Sequence, residues 1–280
     1  MIYSLKDVCK SYGTRNGAVR ALEGLTFDVQ KGERVALLGP SGAGKTTLFR
    51  LFNATLRPSS GGLRFDGRDL TVMSGRDLRS TRRRIGTIYQ QPHLVPSLSA
   101  LQNTLCGRLG SWSLIHTVRN IVRPNQCDNK QAIAALESVG LADKQNARAD
   151  ELSGGQQQRL TIARVLMQDP EVILADEPFA SLDPALTETV GLLLINLVTN
   201  GKRTLVATMH DVELAVRLFP RIIGIRHGHI VFDKPAVRVD HEAIRALYAG
   251  EQVTNAARLD SENWPAAAKN ESSREPSCAR

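Results

Sequence analysis

Short apolar runs alternate with segments of helical spacing along most of the chain. Ile2–Cys9 and Leu22–Val29 read as strands, joined by a Gly/Asn turn around Tyr12–Gly17. Glu33–Leu38 is a brief apolar run that stops at Gly39-Pro40-Ser41-Gly42, and Leu48–Leu56 then follows a helical period. Gly62–Phe65 and Arg84–Tyr89 predict further strands. From about Gln91 to Asp169 the pattern turns helical. Leu94, Val95, Leu98 and Leu101 recur at helical spacing, and Gln131–Val139 and Gln157–Met167 predict helices. Pro124–Asn129 and Ala142–Asp150 read as loops between them. Strand-type runs return at Val172–Asp176, Thr204–Thr208 and Ile222–Ile225, separated by helical segments near Pro184–Val198 and Val212–Phe219. Such alternation predicts an α/β fold with a mostly parallel sheet flanked by helices, interrupted by a helical insertion over about residues 91–169. Beyond about Gly250 the chain is polar and Ala/Ser/Glu-rich, and residues 251–280 are expected to form a disordered tail after a domain spanning 1–250.

Composition narrows this picture only a little. At 280 residues and 42% hydrophobic content the chain can bury a large core. The net charge of +8 fits solubility and attraction to phosphates or an anionic membrane surface. The basic residues are scattered without an aromatic-rich recognition motif, so no nucleic-acid partner is expected. Arg82-Arg83-Arg84 reads as a solvated face before a strand. Cys9, Cys106, Cys127 and Cys278 lack metal-ligand spacing and form no dense disulfide pattern, which suits a reducing compartment. Met1–Lys6 lacks the layout of a secretion signal. No apolar run approaches the roughly 20 residues of a membrane-spanning helix, so work at a membrane would require a partner.

The chemistry is concentrated in three motifs. Gly39-Pro40-Ser41-Gly42-Ala43-Gly44-Lys45-Thr46 fits the phosphate-binding pattern G-x-x-x-x-G-K-[ST], set between a strand and a helix. Its glycines let backbone N–H groups turn inward around an anion. Lys45 supplies a point charge for the β- and γ-phosphates, and Thr46 offers a hydroxyl to Mg²⁺. Val172–Asp176 is a buried-type strand that delivers Asp176 beside that cation, with Glu177 at its tip to polarise an attacking water. Leu152-Ser153-Gly154-Gly155-Gln156 places a hydroxyl and bare backbone N–H groups at the start of the Gln157–Met167 helix. That is a second anion-binding helix terminus, although Ser-Gly-Gly would also make an ordinary N-cap.

Together these motifs resemble the ATP-binding subunits of ABC transporters over about Ile2–Tyr248. Gly39–Thr46 looks like their Walker A, Leu152–Gln156 their signature and Val172–Asp176 their Walker B. The resemblance implies a P-loop NTPase core with an antiparallel β subdomain. It also implies ATP and Mg²⁺ as ligands, with nucleotide contacts from Gly39, Pro40, Ser41, Gly42, Ala43, Gly44, Lys45, Thr46 and Thr47. Thr46, Gln90 and Asp176 are implied as metal ligands. Glu177 matches the catalytic glutamate, Gln90 the Q-loop glutamine and His210 the switch histidine. Ser181-Leu182-Asp183 resembles the D-loop, and Tyr12 the aromatic that stacks on adenine. Simpler roles stand beside these. Tyr12 could be a turn aromatic, Gln91 competes with Gln90, Asp183 could cap a helix before Pro184, and His210 could be a core residue.

The family resemblance implies a head-to-tail dimer of two copies. ATP would lie between Lys45 of one and Ser153, Gly154, Gly155, Gln156 and Asp183 of the other. Binding would close the pair and hydrolysis would release it. Two membrane permease subunits and, indirectly, a periplasmic binding protein are implied partners, with the chain peripheral at the cytoplasmic face of a bacterial inner membrane. Tyr89–Ser99, Gly107–Trp112, Ser138–Lys144 and Arg221–Arg226 are similar to the phosphonate-import ATPases. Gln102, Phe179 and Thr208-Met209-His210-Asp211 depart from that family's usual residues. A soluble ATPase on a carbon–phosphorus lyase-like complex, or an importer of another small polar solute, are the alternatives.

Overall fold

A computed structural model describes residues 1–14, 17–112, 125–179, 182–200 and 202–249. The tail expected over 251–280, Ser181 and Cys278 lie outside the described residues.

Six strands form the central sheet: β3 (Arg34–Leu38), β6 (Ile85–Ile88), β7 (Val172–Asp176), β8 (Thr204–Met209), β9 (Arg221–Arg226) and β10 (His229–Pro235), in the order β10-β9-β3-β8-β7-β6. All neighbours pair in parallel except β9 and β10, which form an antiparallel hairpin. Every residue of β8 is buried, as expected for a central parallel strand covered on both faces. The two-residue period of each strand sends alternate side chains to two different cores. Ala36, Leu38, Ile173, Ala175, Leu205 and Ala207 face a core shared with the helices α5 (Gly154–Gln168), α6 (Pro184–Asn200) and α7 (Val212–Leu218). Val35, Leu37, Val172, Leu174, Val206 and Ile223 face the opposite core, which contains Leu48, Phe49, Leu51 and Phe52 of α1 (Lys45–Phe52).

That second core also receives a four-stranded antiparallel sheet, β2-β1-β4-β5, built from β1 (Tyr3–Thr14), β2 (Gly17–Val29), β4 (Ser60–Phe65) and β5 (Arg68–Asp69). Tyr3 is its anchor. The ring is fully buried 4.4 Å from Phe52, and the hydroxyl donates to the Phe52 carbonyl at 2.9 Å. The C-terminal end of α1 is thereby pinned, and with it the loop at the helix's other end. The first two strands run further than periodicity predicts. β1 pairs with β2 as far as Thr14↔Gly17, so Tyr12 lies in a strand opposite Val19 and not in a turn.

Between β6 and β7 the helices α3 (Ala100–Leu105), α4 (Gln126–Ser138) and α5 pack on one another. Two expectations fail here. Leu94, Val95 and Leu98 do not begin a helix, because helix formation starts only at Ala100. Pro92 and Pro96 lack the N–H that a helix interior needs. The buried Asn103 side chain supplies the missing order, donating to the Val95 and Leu98 carbonyls and accepting from the Val95 N–H at 2.9 Å. Pro124–Asn129 was expected as loop, yet α4 starts at Gln126 because Asn125 caps it, accepting from the Asp128 N–H at 2.8 Å. The helices α2 (Gly75–Arg83) and α8 (His241–Tyr248) complete the described elements. The arginine run that ends α2 is not wholly solvated. Arg84 is half-buried and binds Glu171 through two nitrogens (2.6 and 2.7 Å) and Asp66 at 2.5 Å, tying the starts of β6 and β7 to the antiparallel sheet.

Candidate nucleotide-hydrolysis site

The loop Gly39–Gly44 leaves β3 at its C-terminal edge and enters α1. Two of its glycines are required by what surrounds them. A Cβ on Gly39 would stand 2.1 Å from the Ile225 carbonyl oxygen of β9, and one on Gly44 would stand 2.6 Å from the Ala21 carbonyl oxygen of β2. Gly44, at φ 104°, is the N-cap of α1 and has no side chain to satisfy the first amides of the helix. Those N–H groups and the helix dipole are left for an anion. The Gly228 N–H, in the β9–β10 turn, donates to the Ala43 carbonyl at 3.0 Å and steadies the loop from behind. Lys45 is 5% exposed and donates to the Gly39 and Pro40 carbonyls at 2.5 and 2.9 Å. Its ammonium is therefore held in the concavity of its own loop, where a phosphate oxygen would meet it. Ser41, Gly42 and Thr46 are exposed at the mouth. The Tyr12 hydroxyl lies 3.5 Å from the Thr47 hydroxyl, which sets that ring beside the start of α1.

Asp176 ends β7 and lies in register with Thr208 of β8. The Thr208 hydroxyl donates to Asp176 Oδ1 at 2.6 Å. Burial pushes the Asp176 carboxyl above the usual carboxylate range. The Thr208 hydrogen bond opposes that shift, the adjacent Glu177 charge adds to it, and Lys45 draws it down again. Asp176 and Lys45 thus feel one another across the loop. The chain then turns sharply. Glu177 adopts a left-handed backbone at φ 47°, a conformation that costs a non-glycine residue about 1–3 kcal/mol. Its N–H is held by Thr208, at 2.9 Å from the hydroxyl and 3.3 Å from the carbonyl oxygen. This turn swings the Glu177 carboxylate toward His210, whose Nε2 lies 2.5 Å from Glu177 Oε1. Both side chains line a cavity of about 400 Å³, together with Thr208, Leu182 and Leu214.

One chain therefore gathers Lys45, Asp176, Glu177 and His210 at the C-terminal edge of adjacent strands. Gln90 follows the end of β6, two residues past its last pair with β7, Ile88↔Ala175. Both Gln90 and Gln91 are exposed there. The remaining predicted residues stand elsewhere. Ser153 is the exposed N-cap of α5, accepting from the Gln156 N–H at 3.3 Å, while Gln156 Oε1 accepts from the Ser153 N–H at 2.9 Å. That capping box uses the serine oxygen only as an acceptor, so its proton remains available to a ligand. A Cβ on Gly154 would meet nothing within 4 Å, whereas one on Gly155 would stand 2.0 Å from the Leu186 side chain. Asp183 caps α6, accepting from the Leu186 N–H at 3.0 Å. Its simpler role is therefore realised in the single chain. Thr208 enters the motif reading only within a stretch that departs from the phosphonate-import family, with no role assigned to it.

The three residues expected to hold a cation, Thr46, Gln90 and Asp176, offer a hydroxyl, an amide oxygen and a carboxylate. Such a hard, weakly charged set suits Mg²⁺ completed by phosphate oxygens and water.

The ABC transporter domain family matches residues 22–180. The chain is 42% identical over 239 residues to the phosphonates import ATP-binding protein PhnC of Pseudomonas putida, covering 85% of this chain and 88% of the relative. It is 43% identical over 247 residues to the protein of the same name from Alcaligenes faecalis, with 88% of each covered. A relative from Anaeromyxobacter dehalogenans is 45% identical over 236 residues, or 84% of this chain. The chain spans about half of that protein's length, 47%. Among solved structures it is similar to a dimeric ATP-binding cassette in a post-hydrolysis state bound to ADP and Pi. That match has a TM-score of 0.73 at 30% identity, covering 84% of this chain and 99% of the other. It is also similar to the ADP conformation of an ATP-binding cassette of an ABC transporter, with a TM-score of 0.75 at 25% identity, covering 89% and 99%.

Proposed function

The chain belongs to the ABC transporter family, and from that premise we propose that it is the ATP-binding, ATP-hydrolysing subunit of a phosphonate importer. The observation that carries the chemistry is the coupling of two arms at one sheet edge. Lys45 and Asp176 face a phosphate-binding loop, and Glu177 and His210 face each other 2.5 Å apart beside it. The phosphonate assignment rests on the relatives named above.

In this reading Tyr12 stacks on the adenine, the amides of Gly39–Thr47 surround the phosphates, and Lys45 neutralises their charge. Thr46, Gln90 and Asp176 would hold Mg²⁺, which would supply neutralisation of the phosphate charge. Glu177 accepts a proton from the attacking water, and His210 orients the Glu177 carboxylate and contacts the γ-phosphate. The Ser153 hydroxyl is exposed and the backbone at Gly154 is open. They are completed by the nucleotide of a second copy, with Gln156 and Asp183 at the same seam. Two copies in head-to-tail contact then share two nucleotides.

Coupling to transport needs a surface for the permease. A groove of about 600 Å³ runs between α2 and β6 on one side and the stretch after α3 and α5 on the other, past Tyr89, Val95, Leu109 and Arg164. It begins at the segment that carries Gln90, so a permease segment seated there senses the nucleotide site. No helix among the described residues is long and apolar enough to cross a membrane. In this reading the chain attaches peripherally, through two permease subunits at the cytoplasmic face of the inner membrane, with a periplasmic phosphonate-binding protein delivering the solute. Purification from native membranes tests this. Recovery with an integral membrane permease whose ATPase responds to a phosphonate-loaded binding protein is expected. Recovery only with soluble enzymes overturns the transport reading.

A further inference from the structure

Thr208 occupies the position that joins the two arms of the site. It is fully buried on the central strand β8, and its β-branched body fits there as valine would. Its hydroxyl is what distinguishes it. The Glu177 N–H can only donate, so the Thr208 oxygen must accept from it at 2.9 Å. The single hydroxyl proton is then committed to Asp176 Oδ1 at 2.6 Å. Hydrogen-bond inventory alone thus fixes the orientation of this hydroxyl. One bond occupies a lone pair of the metal-binding carboxylate and restricts its rotation. The other holds the N–H of a residue in the left-handed region at φ 47°, where release would let the backbone relax and move the carboxylate away from His210.

We propose that Thr208 is a positioning residue for ATP hydrolysis, which through one hydroxyl orients the Asp176 carboxylate toward Mg²⁺ and locks the Glu177 turn toward the attacking water. It touches neither nucleotide nor metal. Its effect is indirect, of the kind by which partners of metal-binding side chains tune affinity by 10- to 100-fold. The inference rests on the ATPase reading above and adds a residue that reading does not require.

The test is the Mg²⁺ dependence of steady-state ATP hydrolysis and, without turnover, of fluorescent ATP-analogue binding by the full chain, comparing the parent with Thr208→Val and Thr208→Ser. Valine keeps shape and strand preference but removes both bonds of the hydroxyl, leaving the Glu177 N–H only its longer bond to the residue-208 carbonyl at 3.3 Å. Serine keeps the hydroxyl. For Thr208→Val the half-saturating Mg²⁺ concentration is expected to rise about tenfold and kcat to fall by about tenfold or more, the size of a lost hydrogen bond to a charged group. The KM for ATP at saturating Mg²⁺ should move less than threefold. Thr208→Ser should stay within about threefold of the parent on every parameter. A residue that only packs would lower thermal stability and leave the Mg²⁺ dependence in place. A folded Thr208→Val protein with parental kcat and Mg²⁺ half-saturation overturns the proposal. Should that variant fail to fold, Thr208→Cys is measured, with a thiol as weak donor of similar size. A Mg²⁺ half-saturation raised above the parent's supports the proposal, and an unchanged one overturns it. Absence of Mg²⁺-dependent ATPase in the parent would instead refute the ATPase reading itself.

Discussion

Replacing Gly39 by alanine sets a methyl group 2.1 Å from the Ile225 carbonyl oxygen, 3.2 Å from the Ile225 carbonyl carbon and 3.3 Å from the Ala43 Cβ. The nearest obstacle is backbone of β9, hydrogen-bonded on one side to β3 and on the other to β10, so no side chain can rotate out of the way. Restoring ordinary contact requires a displacement of about 1 Å or more. Overpacking of that kind costs about 1–3 kcal/mol, and the backbone at φ 158° is itself unfavourable for alanine. The flexible partner is the phosphate-binding loop, so the loop moves and β9 stays. Gly39→Ala should lower the melting temperature by roughly 3–10 °C and weaken binding of a fluorescent ATP analogue at least tenfold, because the amides and the Lys45 anchor shift together. Gly62→Ala is the control, since a Cβ there meets nothing within 4 Å and needs no unusual φ. Parental melting temperature and nucleotide affinity in Gly39→Ala would refute the steric reasoning.

Two further outcomes follow from the same geometry. Glu177→Gln removes the proton acceptor and keeps the phosphate loop, so hydrolysis should fall by about 10²–10⁴ while ATP binding persists. Size-exclusion chromatography with ATP should then show a stable dimer, and hydrolysis at the parental rate would refute the role. Asp66 accepts hydrogen bonds from Lys31 at 2.8 Å and Arg84 at 2.5 Å, in that order of influence, and these bring its carboxyl down to about 2. The shift is downward, so the stabilisation is present above the ordinary carboxylate pKa of about 3.9 and is lost as the pH falls through about 2. For so accessible a network Asp66→Asn should cost about 1 kcal/mol in urea unfolding at neutral pH. That difference from the parent should shrink toward zero in acid.

What could be read directly from the residues has a common physical origin. The loop at Gly39–Thr46 was legible because its glycines, lysine and threonine act through backbone and charge at fixed chain spacing, and a strand stands immediately before it. Asp176 and Glu177 were legible because a buried strand that ends in carboxylates has few other uses. The arginine-rich helix α2 was not, because only Leu78 and Thr81 of its nine residues are buried and it carries almost no apolar period. β10 escaped for the same reason, as an edge strand with Phe232 its one buried residue. The false helix at Leu94–Leu98 arose because its period is real, while the contacts that defeat it come from Asn103, outside the window. The role of Thr208 was invisible for a different reason. Within an all-buried strand a threonine looks like another β-branched core residue, and only the register of β8 against β7 places its hydroxyl on Asp176.

The proposed function is that of an ATPase driving phosphonate uptake. The most direct measurement is growth of the encoding bacterium on a phosphonate as sole phosphorus source, after deletion of this chain and complementation by the parent or by Glu177→Gln. No growth is expected of the deletion strain, with rescue by the parent and none by Glu177→Gln, and all strains should grow equally on inorganic phosphate. Undiminished growth of the deletion strain on the phosphonate would contradict the proposed function.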